Sequence, residues 1–214
     1  MRMRTPPPKH ARAIIDLKAL REAPFNVYCF ALFLLFIGLY FPFFYAPIYG
    51  SRIAGLSDDV SFYLLPVLNA GSIFGRIIPG LLADKFGSLN ALLPCSIIAS
   101  ILAFAWLGIS KAAGIWVFCV LYGFSSGAIV SLAPTVLVYL SPDLSLVGTR
   151  LGMIMIPAGF GFLIGNPIAG AIVNIADGRF HGAEAFSAAT LLGGTMMMVL
   201  LRVMIRKTSN GWKA

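Results

Sequence analysis

The chain has 214 residues, of which 59% are hydrophobic and 11% charged, with a formal net charge of +8 and a mean hydropathy of +0.89. Soluble domains carry about 25% charged residues, so this composition excludes a water-soluble globule and points to an integral membrane protein in contact with the lipid bilayer. Nucleic acid is not an expected partner, because the basic residues sit in the N-terminal segment, short loops and tail rather than on one folded face.

Residues 1–24 carry six Lys or Arg against two acids and a triple proline, Pro6-Pro7-Pro8, that bars an early helix. Between Ala11 and Glu22 the apolar Ile14, Ile15, Leu17 and Leu20 predict a short interfacial helix. Six apolar runs follow, near 25–49, 60–83, 91–109, 115–140, 151–175 and 185–205, each close to the roughly 20 residues that cross a hydrocarbon core. Only helices or closed barrels satisfy the backbone in lipid, and the alternating strands of about 10 residues that a barrel needs are absent from the pattern. The expected fold is therefore all-α, a six-helix transmembrane bundle over 25–206 followed by a tail at 207–214.

Within this pattern the first span is rich in aromatics, and Pro42 and Pro47 predict a kink or break near its far end. The fifth is dense in glycine and proline, with the Asn166-Pro167 pair offering a freed carbonyl and a hinge. An even number of spans puts both termini on one side of the membrane. Of the sixteen Lys and Arg, twelve fall on that side and only Arg52, Lys111 and Arg179 in the opposite loops, with Arg76 inside a span. The positive-inside rule then places both termini in the cytoplasm; the expected location is the plasma membrane.

One stretch differs in kind from the rest: Asn69 to Asn90, NAGSIFGRIIPGLLADKFGSLN, puts Arg76 inside an otherwise apolar helix. A charge there is costly and marks a functional site. Arg76 precedes Asp84 by about 12 Å of helix, and its guanidinium can hold a carboxylate in bidentate fashion. The competing reading is a side chain that snorkels to the interface and only anchors the helix. Ser61, Asn69 and Ser72 near the same side favour a polar stripe facing a cavity. Tyr122, Ser125, Ser126, Asn166 and Asn174 are further polar candidates, each read first as a helix-packing residue.

No catalytic or metal site is indicated. His10 and His181 lie outside the expected spans, Cys29, Cys95 and Cys119 have no paired spacing, and no phosphate-cradling loop or cofactor signature fits its context.

The order of motifs resembles the C-terminal half of a major facilitator superfamily transporter of the monocarboxylate-porter-like branch common in fungi. The carrying residues are Arg21-Glu22-Ala23-Pro24, Gly38 to Tyr45, Phe62-Tyr63-Leu64-Leu65, Asn69-Ala70-Gly71-Ser72, Phe74-Gly75-Arg76, Pro79-Gly80, Ala83-Asp84 and Val147 to Met153. The resemblance implies half of a facilitator fold, with residues 1–24 matching the central loop and the six spans matching the seventh to twelfth.

It further implies a secondary transporter for a small organic anion or related metabolite, or an efflux pump for a fungal secondary metabolite, with no cofactor. Arg76 matches the arginine that binds substrate carboxylate, with Asn69, Ser72, Asn166 and Tyr122 as candidate companions. Asp84, Lys85, Gly87 and Arg150 correspond to a gating loop and its surroundings, although Ser88 and Leu89 replace the usual basic continuation. The acid that the family carries one turn before the arginine falls at Ser72, which cannot accept a proton as a carboxylate does.

Facilitator folds rock two six-helix halves about a midplane site. The sequence holds one half, so three readings stand: an incomplete gene product lacking an N-terminal half, a homodimer of halves, or a non-transporting protein that pairs with a full-length porter.

Overall fold

The six apolar runs become helices in a computed structural model that describes residues 15–141, 143–174 and 178–208. The first span is two helices, α1 (Ala23–Leu39) and α2 (Phe41–Arg52), interrupted at Tyr40; Pro24 opens α1 and Pro42 opens α2. Proline has no N–H to donate and is tolerated in a first turn, so Pro42 converts the expected kink into a fresh helix start. The second span combines α3 (Asp58–Phe62) and α4 (Leu64–Phe86). Ser57 caps α3 by accepting the Val60 N–H, and Asp58 and Asp59 place negative charge against the helix N-terminus.

Then come α5 (Ser88–Trp106), α6 (Ala112–Leu140), α7 (Val147–Ile172) and α8 (His181–Thr208). Among the described residues, six spans are thus long and apolar enough to cross a membrane. No strand occurs among the described residues, only an isolated bridge between Asn174 and Arg179.

Two expectations change. Residues 15–18 are not helical and only Ala19–Arg21 forms a 3-10 turn, so the described part of the 11–22 segment is no interfacial helix; residues 11–14 lie outside the described residues. The Asp16 carboxylate accepts the Lys18 N–H at 3.0 Å, and this local turn competes with a helical ladder. The sixth span starts earlier than expected: His181 and Glu184, read as loop, form the first turn of α8.

The helices pack in the order α4, α6, α5, α8, α1, α7, with α1 and α6 also touching across the middle. Lipid supplies no hydrophobic drive between helices, so close backbone approach and polar contacts must hold them. Gly71 and Gly75 of α4 face the backbone of α6 at Val120 and Phe124, while Gly123 and Gly127 of α6 face Leu68 and Ser72 of α4. Gly161 and Gly165 of α7 sit in the same way on Phe33 and Ile37 of α1. All three pairs have four-residue spacing, which puts both glycines on one helix face.

Side chains add cross-links. Tyr122 donates to the Leu39 carbonyl at 2.9 Å, Ser187 to the Gly38 carbonyl at 2.8 Å, and the Ser100 and Thr195 hydroxyls lie 3.0 Å apart. A buried aromatic cluster of Phe41, Tyr49, Trp106, Phe118, Tyr122 and Phe180 closes one end of the bundle. Helices α4 and α7, at the two ends of the packing order, are the least buried of the six spans.

Candidate functional site

Residues 69, 72 and 76 are spaced three and four apart, so they share one face of α4, about 100° around from the glycine face that meets α6. Asn69, Ser72 and Arg76 line one cleft together with Leu39, Tyr40 and Phe43 of the first span and Ser126, Gly127 and Val130 of α6. Its enclosed volume is about 130 Å³. Ser72 is buried and donates to the Asn69 carbonyl at 2.8 Å, and the Asn69 amide donates to the Leu65 carbonyl at 3.0 Å. Ser72 thereby spends its one donor on a local carbonyl, while Asn69 keeps a second N–H.

Arg76 is exposed on this face, and among the described residues it makes no hydrogen bond or ion pair. Five N–H donors are left without protein acceptors, in a cleft walled by two hydroxyls, an amide and an aromatic phenol. Such a set can accept a planar anion through its two oxygens. No group of three or more His, Cys, Asp or Glu that could hold a metal occurs among the described residues.

The other expected residues lie elsewhere. Tyr122 is fully buried inside the bundle, its hydroxyl used on Leu39 and its ring stacked 5.1 Å from Phe118. Asn166 lies on α7 outside the cleft, its amide 3.4 Å from the Phe162 carbonyl. The helix is continuous through Pro157 and Pro167, with no break at the Asn166-Pro167 pair. Ser61 is buried in α3, away from the cleft. Asp84 and Lys85 are exposed at the end of α4, where Gly87 at φ 94° makes the turn into α5. Only glycine adopts that conformation readily.

Arg150 is not joined to that turn. It is fully buried in the first turn of α7, where its Nε donates to Asp16 at 2.9 Å and its two terminal nitrogens donate to Glu22 at 2.8 and 2.7 Å. The guanidinium also lies 5.7 Å from the centre of the Phe25 ring. Burial pushes the Asp16 carboxyl up, but the Arg150 guanidinium and the N–H groups of Ala19 and Lys18 outweigh it and hold the carboxyl below the usual range. This clamp ties the segment before α1 to the start of α7. Sequence reasoning missed it because its partners lie far apart in the chain; the only signs were two acids before the first span and an arginine at the start of the fifth.

Comparison with known proteins identifies the setting. The family model of the Major Facilitator Superfamily matches residues 2–144. The aspyridones efflux protein apdF of Emericella nidulans is 39% identical over 191 residues, covering 89% of this chain and 39% of that protein. The MFS-type transporter dbaD of the same organism is 38% identical over 174 residues, 81% of this chain and 39% of its own length. The MFS transporter asaE of Aspergillus flavus is 36% identical over 206 residues, 95% of this chain and 46% of its own length. The chain thus spans less than half the length of these relatives.

Proposed function

The chain belongs to the Major Facilitator Superfamily, and on that footing we propose that it forms one six-span half of a secondary transporter whose Arg76 cleft takes the negatively charged head of an organic anion. The observation that carries this reading is the unpaired guanidinium in mid-span, about ten residues or 15 Å of helix from the end of α4, beside Asn69 and Ser72. A cation held there without an acid is poised for an anionic ligand. The monocarboxylate-porter-like reading rests on the combined motifs, Arg76 among them, and Ser72, standing where the proton-accepting acid would be, departs from that pattern.

Transport needs an opposite wall. Helix α4, which carries Arg76, is one of the two least buried spans, and a second six-span unit, either an N-terminal half or a second copy of this chain, completes the site. The charge distribution supports cytoplasmic termini, and a plasma-membrane location goes with the transporter reading. Efflux is the favoured direction because apdF is named an efflux protein.

The test is flux and binding with the purified chain in lipid vesicles. Saturable binding of a radiolabelled carboxylate such as benzoate is expected, weakened about 30-fold, or about 2 kcal/mol, in Arg76→Gln. Binding that does not depend on Arg76 overturns the anion site. Arg76-dependent binding without flux from the chain alone assigns transport to a pair with a separate half, and a strict monomer by size in detergent rules out the homodimer.

A further inference from the structure

A second cavity, of about 300 Å³, opens between α1 and α7 and is lined by Phe36, Tyr40, Met155, Ala158, Gly159 and Phe162. Tyr40 is common to both cavities, lining the polar cleft of Arg76 and this apolar chamber alike. We infer that the two are subsites of one ligand, an amphipathic organic anion whose charged head meets Arg76 and whose flat apolar or aromatic body occupies the α1–α7 chamber. This inference rests on the Arg76 reading above and adds to it the class of anion.

Three features of the chamber support a flat body. Phe162 meets Tyr40 edge-on at 4.8 Å and 80°, and Phe36 flanks Tyr40 at 6.0 Å, so the three rings form one wall. Aromatic walls of this kind hold a planar ligand by offset or edge contacts. Met155, also in the lining, supplies an adaptable thioether.

Gly159 is the third feature. Gly161 and Gly165 on the same helix press on the α1 backbone, but a Cβ on Gly159 would meet nothing within 4 Å. Helix packing therefore does not call for glycine at 159, and glycine in a helix interior is less stable than alanine by about 1 kcal/mol. What the missing side chain does is keep the chamber open. Gly148 and Gly152 are equally open but do not line the chamber. Spacing puts Met155, Gly159 and Phe162 on one face of α7, the face that Asn166 continues one turn further on.

The probes are acetate, a head without a body, and 2-naphthoate, the same head with a flat body. Equilibrium binding of each radiolabelled anion to the purified full chain in lipid nanodiscs is expected to favour 2-naphthoate at least tenfold. Gly159→Leu is expected to lower the naphthoate-to-acetate affinity ratio about tenfold, and Phe162→Ala to lower it about threefold, while Arg76→Gln weakens both anions.

An unchanged ratio in both chamber variants, with Arg76→Gln still weakening both anions, overturns the chamber and leaves the anion cleft standing. Loss of the underlying reading looks different, since neither anion then responds to Arg76→Gln. Naphthoate binding that ignores Arg76 and is displaced by an uncharged long-chain alcohol identifies the chamber as a lipid crevice and also overturns the inference. Phe162→Ala keeps the test decisive should Gly159→Leu fail to fold.

Discussion

Replacing Arg150 with methionine is expected to lower the thermal stability of the chain more than any other change at this clamp, because it leaves the Asp16 and Glu22 carboxylates without their cation. Asp16 is only 7% exposed and Arg150 1%, so the Asp16 contact is made away from water, whereas the Glu22 side chain is 36% exposed and its share is screened. Asp16→Asn is therefore expected to be the more damaging of the two acidic substitutions and Glu22→Gln the milder. Arg150→Lys keeps the charge but cannot serve Nε and both terminal nitrogens in one plane, and is expected to fall between wild type and Arg150→Met. Thermal unfolding in detergent, read by size-exclusion of the surviving fraction, orders the four variants. Equal stability across them would show that the clamp contributes nothing.

The clamp also carries a pH signature. The Asp16 carboxyl is held below its ordinary value, so its contribution is fully present above the unfolded value of about 3.9 and is lost as pH falls through the lower folded value. Wild type is thus expected to lose its stability advantage over Asp16→Asn only below about pH 4. An advantage that disappears near pH 6 would point to another group.

What the sequence revealed and what it hid follow from the range of the interactions. Membrane spans are written in contiguous apolar runs, so six of them and the all-helical class were legible, and Pro42 marked the break that falls at Tyr40. Arg76 stood out because one charge in an apolar helix has no local cancellation, and the three- and four-residue spacing of Asn69, Ser72 and Arg76 was enough to put them on one face. Tyr28 and Tyr40 stood out among the first-span aromatics as able to face a cavity, but the string could not separate them: Tyr28 is buried with its hydroxyl on the Ala133 carbonyl, and Tyr40 lines two cavities only because of how α1 meets α4 and α7. Tyr122, read first as a packing residue, does pack: its hydroxyl reaches a carbonyl 83 positions away, a partner the string does not name. Arg150 and Asp16, 134 positions apart, leave no periodic trace.

Glycines show the same limit in its sharpest form, since the string writes them alike and the packing separates them. Gly75→Leu is expected to destabilise the bundle by about 3 kcal/mol, and Gly80→Leu, the same substitution five residues on, to be nearly neutral. A Cβ at Gly75 would fall 2.6 Å from the Phe124 carbonyl carbon and 2.9 Å from its Cα, and backbone atoms cannot rotate away as a side-chain tip can. At Gly80 the same atom meets nothing within 4 Å. Relief at Gly75 requires α4 and α6 to move apart, and the Arg76 cleft spans that contact: Asn69, Ser72 and Arg76 come from α4, Ser126 and Gly127 from α6. Gly75→Leu should accordingly weaken carboxylate binding even in the fraction that survives folding, with Arg76 itself intact. Surviving Gly75→Leu protein that binds benzoate as wild type does would mean that the cleft tolerates helix separation, and that Arg76 acts without its α6 companions.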